Sequence, residues 1–266
     1  MMEKQIDGIR FRTVATEWDV YFDMALVMLD EIMKNNAVGK RTVMIVPVGP
    51  TQQYPILARL INQLRVPLHN VHFFNMDEYL SSPTCEVSYD DPISFHYRME
   101  KEFYSLVDKE LVMPEDQRHF PHPGREAEYD RMIEALGGVD LTLGGLGING
   151  HIAFNEPPEA DAPMSVEAFG TPGTRVLPIT RETKTINAYG YQRGDLRGMP
   201  EWCITVGMKQ ILASRRIYIA LNRPWQHGIV KHVLFDKVQA AIPASLLRTH
   251  ASVEFCAFGE LADGLF

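Results

Sequence analysis

The chain has 266 residues, 45% of them hydrophobic, and a formal net charge of −8 at pH 7. That length suits one large α/β domain or two small ones. The acidic balance argues against nucleic-acid and membrane-surface partners, because both require a basic face on the protein. An anionic small-molecule substrate stays open, since a local group of arginines and backbone N–H groups binds phosphate even on an acidic protein.

The three cysteines, Cys85, Cys203 and Cys256, predict reduced thiols rather than a disulfide framework. Their number is odd, and no Cys-x-x-Cys pair is present. No segment reaches the roughly 18 consecutive apolar residues of a membrane span, and the N-terminal residues lack the apolar core of a signal peptide. We therefore expect a cytoplasmic protein without a membrane partner.

Apolar periodicity predicts helices that alternate with strands along the chain. In chain order the sequence predicts a helix at 16–36, a strand at 42–48, a helix through Ile56, Leu57, Leu60 and Ile61, a strand at 71–76, helices at 92–107 and 125–136, strands at 140–143 and 174–179, a helix at 208–213, a strand at 216–221 with a helix after it, and a strand at 252–257. The stretches 81–91 and 157–173 are predicted loops, and the second is a candidate lid. This alternation predicts a doubly wound, mostly parallel sheet with helices on both faces.

The glycine-rich stretch at 144–157 carries the strongest functional signal, and it reads Gly-Gly-Leu-Gly-Ile-Asn-Gly-His-Ile-Ala-Phe-Asn-Glu-Pro. Glycines let a backbone pass close to a ligand without Cβ clashes, and open parallel sheets bind ligands at the carboxyl ends of their strands. His151 and Glu156 add a proton-transfer group and a carboxylate that can tune it. These glycines do not open a predicted long helix, as the G-x-G-x-x-G of dinucleotide sites does, so we infer no NAD and predict no cofactor.

Four blocks of the sequence resemble the glucosamine-6-phosphate deaminase (isomerase) family. They are the 144–157 stretch, Phe-Asn-Met-Asp-Glu-Tyr at 74–79, Thr-Val-Gly at 205–207 and Pro-Ala-Ser at 243–245. Their order and separation agree with the family and span most of the chain. The string His-Ile-Ala-Phe-Asn-Glu-Pro is specific, whereas the last two blocks are weak alone. The resemblance implies a single domain over residues 1–266 with a modified Rossmann-like fold.

The resemblance also assigns roles to the acidic residues and the histidine. From its place at the end of a predicted strand, Asp77 is either a general base or a structural residue, namely a helix N-cap or a partner in a loop salt bridge. The resemblance favours a base that moves a proton between neighbouring carbons of an open-chain sugar, with the adjacent Glu78 supporting the site. It makes His151 the group that opens the pyranose ring. Glu156 is then the carboxylate that orients the imidazole, or else a solvated loop residue.

The residue two positions before the histidine departs from the family pattern. Family members ordinarily have Asp there, and this chain has Asn149. Asn149 keeps the shape and can accept a hydrogen bond from the imidazole, but it carries no charge that would stabilise an imidazolium. We expect slower ring opening, or ring opening that depends on Glu156 alone, or a substrate that arrives already open.

Phosphate recognition departs from the family pattern as well. The first loop of the family, commonly Thr-Gly-Gly-Thr-Pro, is represented here by residues 48–52, in which Pro50 removes an N–H donor. Tyr189 and Trp225 stand at the positions of the family's Arg and Lys clamp. Arginines at three nearby positions are candidate replacements: Arg193, Arg197 and Arg223. The predicted substrate contacts are Gly49, Thr51, Gly144, Gly145 and Ala153.

The sequence thus predicts an amino-sugar phosphate isomerase-deaminase that releases a ketose phosphate and ammonia. Two alternatives remain: an enzyme for galactosamine 6-phosphate or an unphosphorylated amino sugar, and a non-catalytic sugar-phosphate-binding regulator. A 6-phosphogluconolactonase is disfavoured by the residues after His151, which are typically Thr-Ala-Ser-Leu-Phe-Pro in those enzymes.

We predict no metal site, because the histidines lack zinc-ligand spacing and His119 and His122 form a chance pair. Leu177 stands where an allosteric site would need a basic residue. The sequence leaves homo-oligomer formation open.

Overall fold

Residues 2–266, which the computed structural model describes, contain two β-sheets. The strands of the large sheet are Glu3–Ile6 (β1), Ile9–Val14 (β2), Thr42–Val46 (β3), Val71–Asn75 (β4), Arg118–His119 (β7), Leu141–Gly144 (β8), Arg216–Leu221 (β11) and Val253–Phe258 (β12). The strands of the small sheet are Asp77–Ser82 (β5), Cys85–Glu86 (β6), Arg175–Pro178 (β9) and Trp202–Thr205 (β10).

The large sheet has the order β1-β2-β12-β11-β8-β3-β4-β7, and all of its pairs are parallel except β1–β2. The chain runs from β3 through β4 to β7 at one edge, and then returns to place β8 on the other side of β3. The strand order therefore reverses between β3 and β8. Such a reversal opens a crevice at the carboxyl ends of the two strands, where ligands of doubly wound proteins bind.

The helices connect these strands. They are Glu17–Ala37 (α1), Gln53–Leu64 (α2), Phe95–Glu102 (α3), Glu126–Ala135 (α4), Val166–Gly170 (α5), Arg181–Tyr191 (α6), Met208–Leu212 (α7), Gln226–Phe235 (α8) and Gly259–Ala262 (α9), with 3-10 turns at Tyr104–Leu106, Glu115–Gln117 and Pro243–Thr249. Right-handed crossovers place α1 and α2 on one face of the large sheet and α4 and α8 on the other. The connections before β7 move toward one edge of the sheet, whereas those after β7 move toward the opposite edge. Within the described residues no helix is long and apolar enough to cross a membrane.

The doubly wound, mostly parallel sheet is confirmed, but parts of the local prediction were wrong. The predicted loop at 81–91 contains the end of β5 and the whole of β6, and the predicted loop at 157–173 contains α5. The helix predicted at 92–107 is shorter, since it ends at Glu102 and a 3-10 turn follows. Asp77 does not end a strand of the large sheet, because it begins β5 in the small one.

Further elements were not predicted: β1, β2, β7, α6, β10 and α9. The β1–β2 hairpin left a signal, because Asp7 and Gly8 both have positive φ and form an Asp-Gly hairpin turn. Helix α6 left only a weak signal, namely Thr180 as an N-cap whose hydroxyl accepts from the Thr183 backbone N–H. It carries few large apolar residues, and one of its faces lines the cavity described below.

Candidate active site

A cavity of about 640 Å³ lies at the reversal of the strand order. Its wall includes the loops that follow β3, β8 and β11, the first residues of β5, and part of α6. The loops after β3 and β8 approach each other closely, because a Cβ at Gly145 would be 3.4 Å from both the Gly49 carbonyl oxygen and the Pro50 ring. Gly145 thereby closes the floor of the crevice without filling it.

Asp77 faces this cavity from the start of β5 and is only 6% exposed. Strand β5 pairs with β10, so that Asp77 lies opposite Thr205, and Tyr79 reaches the same cavity because side chains two apart share a face. Burial, and secondarily the negative charge of Glu78, raise the pKa of Asp77 well above its ordinary value. A carboxylate with a raised pKa is a stronger base toward a carbon-bound proton.

Glu78 lies on the opposite face of β5 and does not line the cavity. Its carboxylate accepts hydrogen bonds from the backbone N–H groups of Tyr79, Phe95 and His96 at 2.8–2.9 Å and from the Ser94 hydroxyl at 3.0 Å. Burial raises its pKa to about 7, although these four donors oppose the shift. Glu78 therefore fastens the N-terminus of α3 to β5 and holds the strand that presents Asp77.

His151 faces the cavity from the loop after β8, and its Nδ1 atom points into a small polar network. Nδ1 lies 2.8 Å from Oδ1 of Asn149 and 3.2 Å from Oε2 of Glu156. The Asn149 amide nitrogen donates to the same Glu156 oxygen at 2.7 Å. Because both oxygens near Nδ1 are acceptors, the proton of a neutral imidazole sits on Nδ1 and leaves Nε2 as the base.

Glu156 has only 8% of its side chain exposed, and it lies behind the imidazole, not on the cavity wall. Burial alone would raise its pKa, but hydrogen bonds from His151, Thr183 and Asn149, with the charge of His151, lower it below its ordinary value. A carboxylate kept ionised in this way can stabilise the imidazolium that forms when Nε2 takes a proton.

The backbone of the glycine loop makes room for this arrangement. A Cβ at Gly147 would overlap the imidazole of His151, so only glycine fits beneath the ring. The loop closes on itself through a hydrogen bond from the Gly147 N–H to the His151 carbonyl at 2.9 Å. Ala153 lines the cavity with a positive φ of 56°, a strained conformation for a residue with a side chain. The buried Asn155 amide anchors this segment by donating to the Val206 carbonyl at 2.9 Å.

Two arginines lie on the cavity wall within the described residues. Arg98 of α3 lies on the wall near Tyr79, and its guanidinium donates to the Thr51 hydroxyl at 3.4 Å. Arg223 follows β11 and donates to Glu17 at 3.2 Å, with 41% of its side chain exposed. Of the three arginines that the sequence offered as phosphate ligands, only Arg223 lies on the cavity wall; the other two, Arg193 and Arg197, do not.

The predicted contact residues divide between the cavity wall and its surroundings. Gly49, Gly145 and Ala153 line the cavity. Thr51 is buried behind Arg98, and Gly144 is packed beneath the floor, where an added Cβ would be 3.6 Å from Ile152, Ile219 and Met76. Tyr189 and Trp225 also line the cavity, so the positions expected for a basic clamp carry aromatic rings.

Sequence reasoning missed Arg98 and did not predict helix α6, whose Ile186, Asn187 and Gly190 line the cavity beside Tyr189. The Asn187 amide donates to the Tyr79 hydroxyl at 3.0 Å and so joins α6 to the strand of Asp77. The N-cap pattern of Thr180 and Thr183 was the one local signal for this helix. Nothing local indicated that its inner face reaches the site.

Comparison with known proteins identifies relatives of one kind. No protein-family profile matches the chain. The glucosamine-6-phosphate deaminase of Bacillus velezensis is 34% identical over 214 residues, which is 77% of this chain and 79% of the relative. The corresponding protein of Halothermothrix orenii is 32% identical over 234 residues, covering 86% of this chain and 88% of its own. Glucosamine-6-phosphate deaminase 1 of Bacillus subtilis is 30% identical over 211 residues, or 77% and 78% of the two chains.

Solved structures agree with this result. A monomeric glucosamine-6-phosphate deaminase superposes with a TM-score of 0.81 and 25% sequence identity, covering 95% of this chain and 98% of that one. The 6-phosphogluconolactonase of Trypanosoma brucei has a TM-score of 0.69 with 17% identity over the whole of both chains, a likeness that shows a shared fold alone. On the identity and coverage of the curated relatives, the chain belongs to the glucosamine-6-phosphate deaminase family.

Proposed function

We propose that the protein is an aldose–ketose isomerase-deaminase that converts glucosamine 6-phosphate to a ketose phosphate and ammonia. The observation that carries this proposal is the presence of Asp77 and His151 on one cavity wall, supplied by different elements. Each has the environment its role requires: Asp77 is a buried carboxylate with a raised pKa, and His151 is backed by acceptors that leave Nε2 as the base.

In the first step His151 opens the pyranose ring. Nε2 takes the proton of the anomeric hydroxyl, and the same proton is delivered to the ring oxygen as the C1–O5 bond breaks. An imidazolium exists between these two transfers, and the adjacent Glu156 stabilises its charge. Asn149 supplies a neutral hydrogen-bond acceptor, so the electrostatic stabilisation depends on Glu156.

In the second step Asp77 moves a proton between neighbouring carbons. Its carboxylate removes the C2 proton, the electron pair of the C–H bond forms the C1–C2 double bond of an enolamine, and the ammonium group at C2 gives a proton to the C1 oxygen. Asp77 then returns the proton to C1, which leaves an imine at C2. Water adds to this imine, and the carbinolamine breaks down to the ketose phosphate and ammonia.

The order of the strands supports a direction for the substrate. Asp77 follows β4 and Arg223 follows β11, with β3 and β8 between them. Three interstrand spacings amount to about 14 Å, which an extended six-carbon sugar phosphate and an arginine side chain together can bridge. We propose that the phosphate lies toward Arg223 and the Gly49 loop, with C1 and C2 near Asp77.

A second candidate is the same reaction on a different amino sugar. The observation that favours it is the pair of aromatic side chains, Tyr189 and Trp225, on the cavity wall. Aromatic rings offer stacking surface rather than charge to a sugar. Galactosamine 6-phosphate or an unphosphorylated amino sugar would then be the preferred substrate.

The decisive experiment is ammonia release from glucosamine 6-phosphate, galactosamine 6-phosphate and glucosamine, with the Asp77→Asn variant as the control. Release from glucosamine 6-phosphate alone supports the first proposal, and preferential release from either of the others supports the second. Binding without release from any of the three would contradict both and would support a non-catalytic sugar-phosphate-binding regulator.

A further inference from the structure

The Nδ1 atom of His151 has a third polar neighbour, which the proposed chemistry does not use. Besides Asn149 and Glu156, the hydroxyl of Thr183 lies 3.3 Å from Nδ1. Thr183 belongs to the first turn of α6, a different element from the loop that carries the other three residues. The imidazole is therefore held between its own loop and this helix.

Thr183 is held rigidly at this position. Thr183 is 0% exposed, whereas Thr185 is exposed on the solvent-facing side of the same helix. Its backbone N–H donates to the Thr180 hydroxyl at 3.3 Å, which caps the helix, and the Thr180 hydroxyl in turn donates to the Thr183 hydroxyl at 3.1 Å. A hydroxyl that already accepts from Thr180 has its own proton available for an acceptor.

Glu156 belongs to the same network, with its Oε2 atom 3.2 Å from Nδ1 of His151. It carries the negative charge of this network, because Asn149 is a neutral amide. The Thr183 hydroxyl is among the hydrogen-bonding groups that lower the pKa of Glu156 against the effect of burial. Thr183 thus touches the imidazole beside the carboxylate that balances the charge on it.

We infer that Thr183 is a positioning residue for ring opening, whose hydroxyl fixes the imidazole of His151 from the side of α6. The inference rests on the proposed function, and it extends the ring-opening machinery from the glycine loop to α6. The same helix lines the cavity with Asn187, so the wall that contacts the sugar also orients the histidine.

The test replaces Thr183 with Val, which keeps the β-branched shape and removes the hydroxyl, and with Ser, which keeps the hydroxyl. Thr185→Val is the matched control, because it makes the same chemical change on the exposed face of α6. Steady-state ammonia release from glucosamine 6-phosphate is measured for each protein across pH. If the Val variant does not fold, Thr183→Ala removes the same hydroxyl without the second methyl group.

We expect Thr183→Val to lower kcat about tenfold, the effect of one lost hydrogen bond, with little change in KM. The acidic limb of its kcat profile should move to higher pH, because Glu156 loses a donor to its ionised form. Thr183→Ser should restore both values, and Thr185→Val should match the wild type. A pH profile and kcat that stay unchanged in the Val or Ala variant, or a loss that Ser does not restore, would overturn the inference.

A direct measurement separates this inference from the proposed function. Nitrogen-15 NMR of the His151 ring reports which nitrogen carries the proton, without any turnover. We expect the Nδ1-protonated tautomer in both proteins, because Asn149 and Glu156 remain, and a shifted Nδ1 resonance in Thr183→Val, because that atom loses a polar neighbour. Absence of ammonia release by the wild type would refute the function alone, whereas an unchanged Nδ1 resonance in the variant would refute the role of Thr183.

Discussion

Replacing Asp77 with Asn is expected to remove activity and to stabilise the fold at the same time. The side chain is 6% exposed at the start of β5, and its pKa is raised first by burial and second by the charge of Glu78. Ionised Asp77 is therefore unfavourable in the folded state at neutral pH. Asn has nearly the same shape and never carries that charge, but it cannot accept the C2 proton.

The two effects have different sizes. A positioned general base contributes about 10²–10⁴-fold to a rate, so kcat should fall by at least about 100-fold. Removal of a destabilising active-site charge gains on the order of 0.5–2 kcal/mol in the free energy of unfolding. For a chain of this size each kcal/mol raises the melting temperature by about 2–4 °C.

The sign of the stability change follows from proton linkage. Because the pKa of Asp77 is higher in the folded state than its ordinary value of 3.8, the folded protein binds the proton more tightly than the unfolded chain. The stability of the wild type should therefore fall, relative to Asp77→Asn, as the pH rises from about 3.8 through the raised folded value. Below that window the two proteins should melt together.

The assay is differential scanning calorimetry of both proteins at a series of pH values, with kcat for ammonia release measured alongside. We expect the difference in melting temperature to grow with pH and then level off. If the variant melts below the wild type at neutral pH, the argument that the buried charge of Asp77 destabilises the folded state is refuted. A variant with near-normal kcat would remove Asp77 from the mechanism.

Three further substitutions test the surroundings of the two catalytic groups. Gly147→Ala should cost about 1–3 kcal/mol in the free energy of unfolding and lower kcat, because the new methyl group overlaps His151; Gly228→Ala, in open space on α8, is the control, and equal urea midpoints for the two would contradict this. Glu78→Gln should destabilise the protein by about 1–3 kcal/mol, because an amide nitrogen replaces an oxygen that accepts from α3, and an unchanged urea midpoint would show that these bonds matter little. Arg223→Gln should raise KM for glucosamine 6-phosphate by about 10-fold or more and leave KM for glucosamine unchanged; an equal rise for both sugars would argue that Arg223 does not bind the phosphate.

Local signals carried much of the fold. Apolar runs and helical spacing gave the β3–α2–β4 units and the strands β8, β11 and β12, because their buried faces are continuous in sequence. Of the small antiparallel sheet only β9 was predicted, because β6 is two residues long and β5 and β10 are four to six residues long with no clear alternation. Short strands depend on their partners rather than on their own pattern.

The candidate site divides in the same way. The glycine loop and its His151–Glu156 pair were evident from the sequence, because the base and its carboxylate lie five positions apart in one segment. The different positions of Asp77 and Glu78 were not, since a strand sends neighbouring side chains to opposite faces and only the tertiary structure shows which face is the cavity.

The sequence by itself determined the alternation of helices and strands, the glycine loop and the residue types available for proton transfer, because these features depend on a few neighbouring residues. Only the tertiary structure decided that Asp77 and His151 share one cavity, that Arg98 and Arg223 lie on its wall while Arg193 and Arg197 do not, and that Thr183 reaches the imidazole. These relations depend on the order of strands around the reversal between β3 and β8. Strand order is set by long-range packing and crossover handedness, which leave no local mark on the chain.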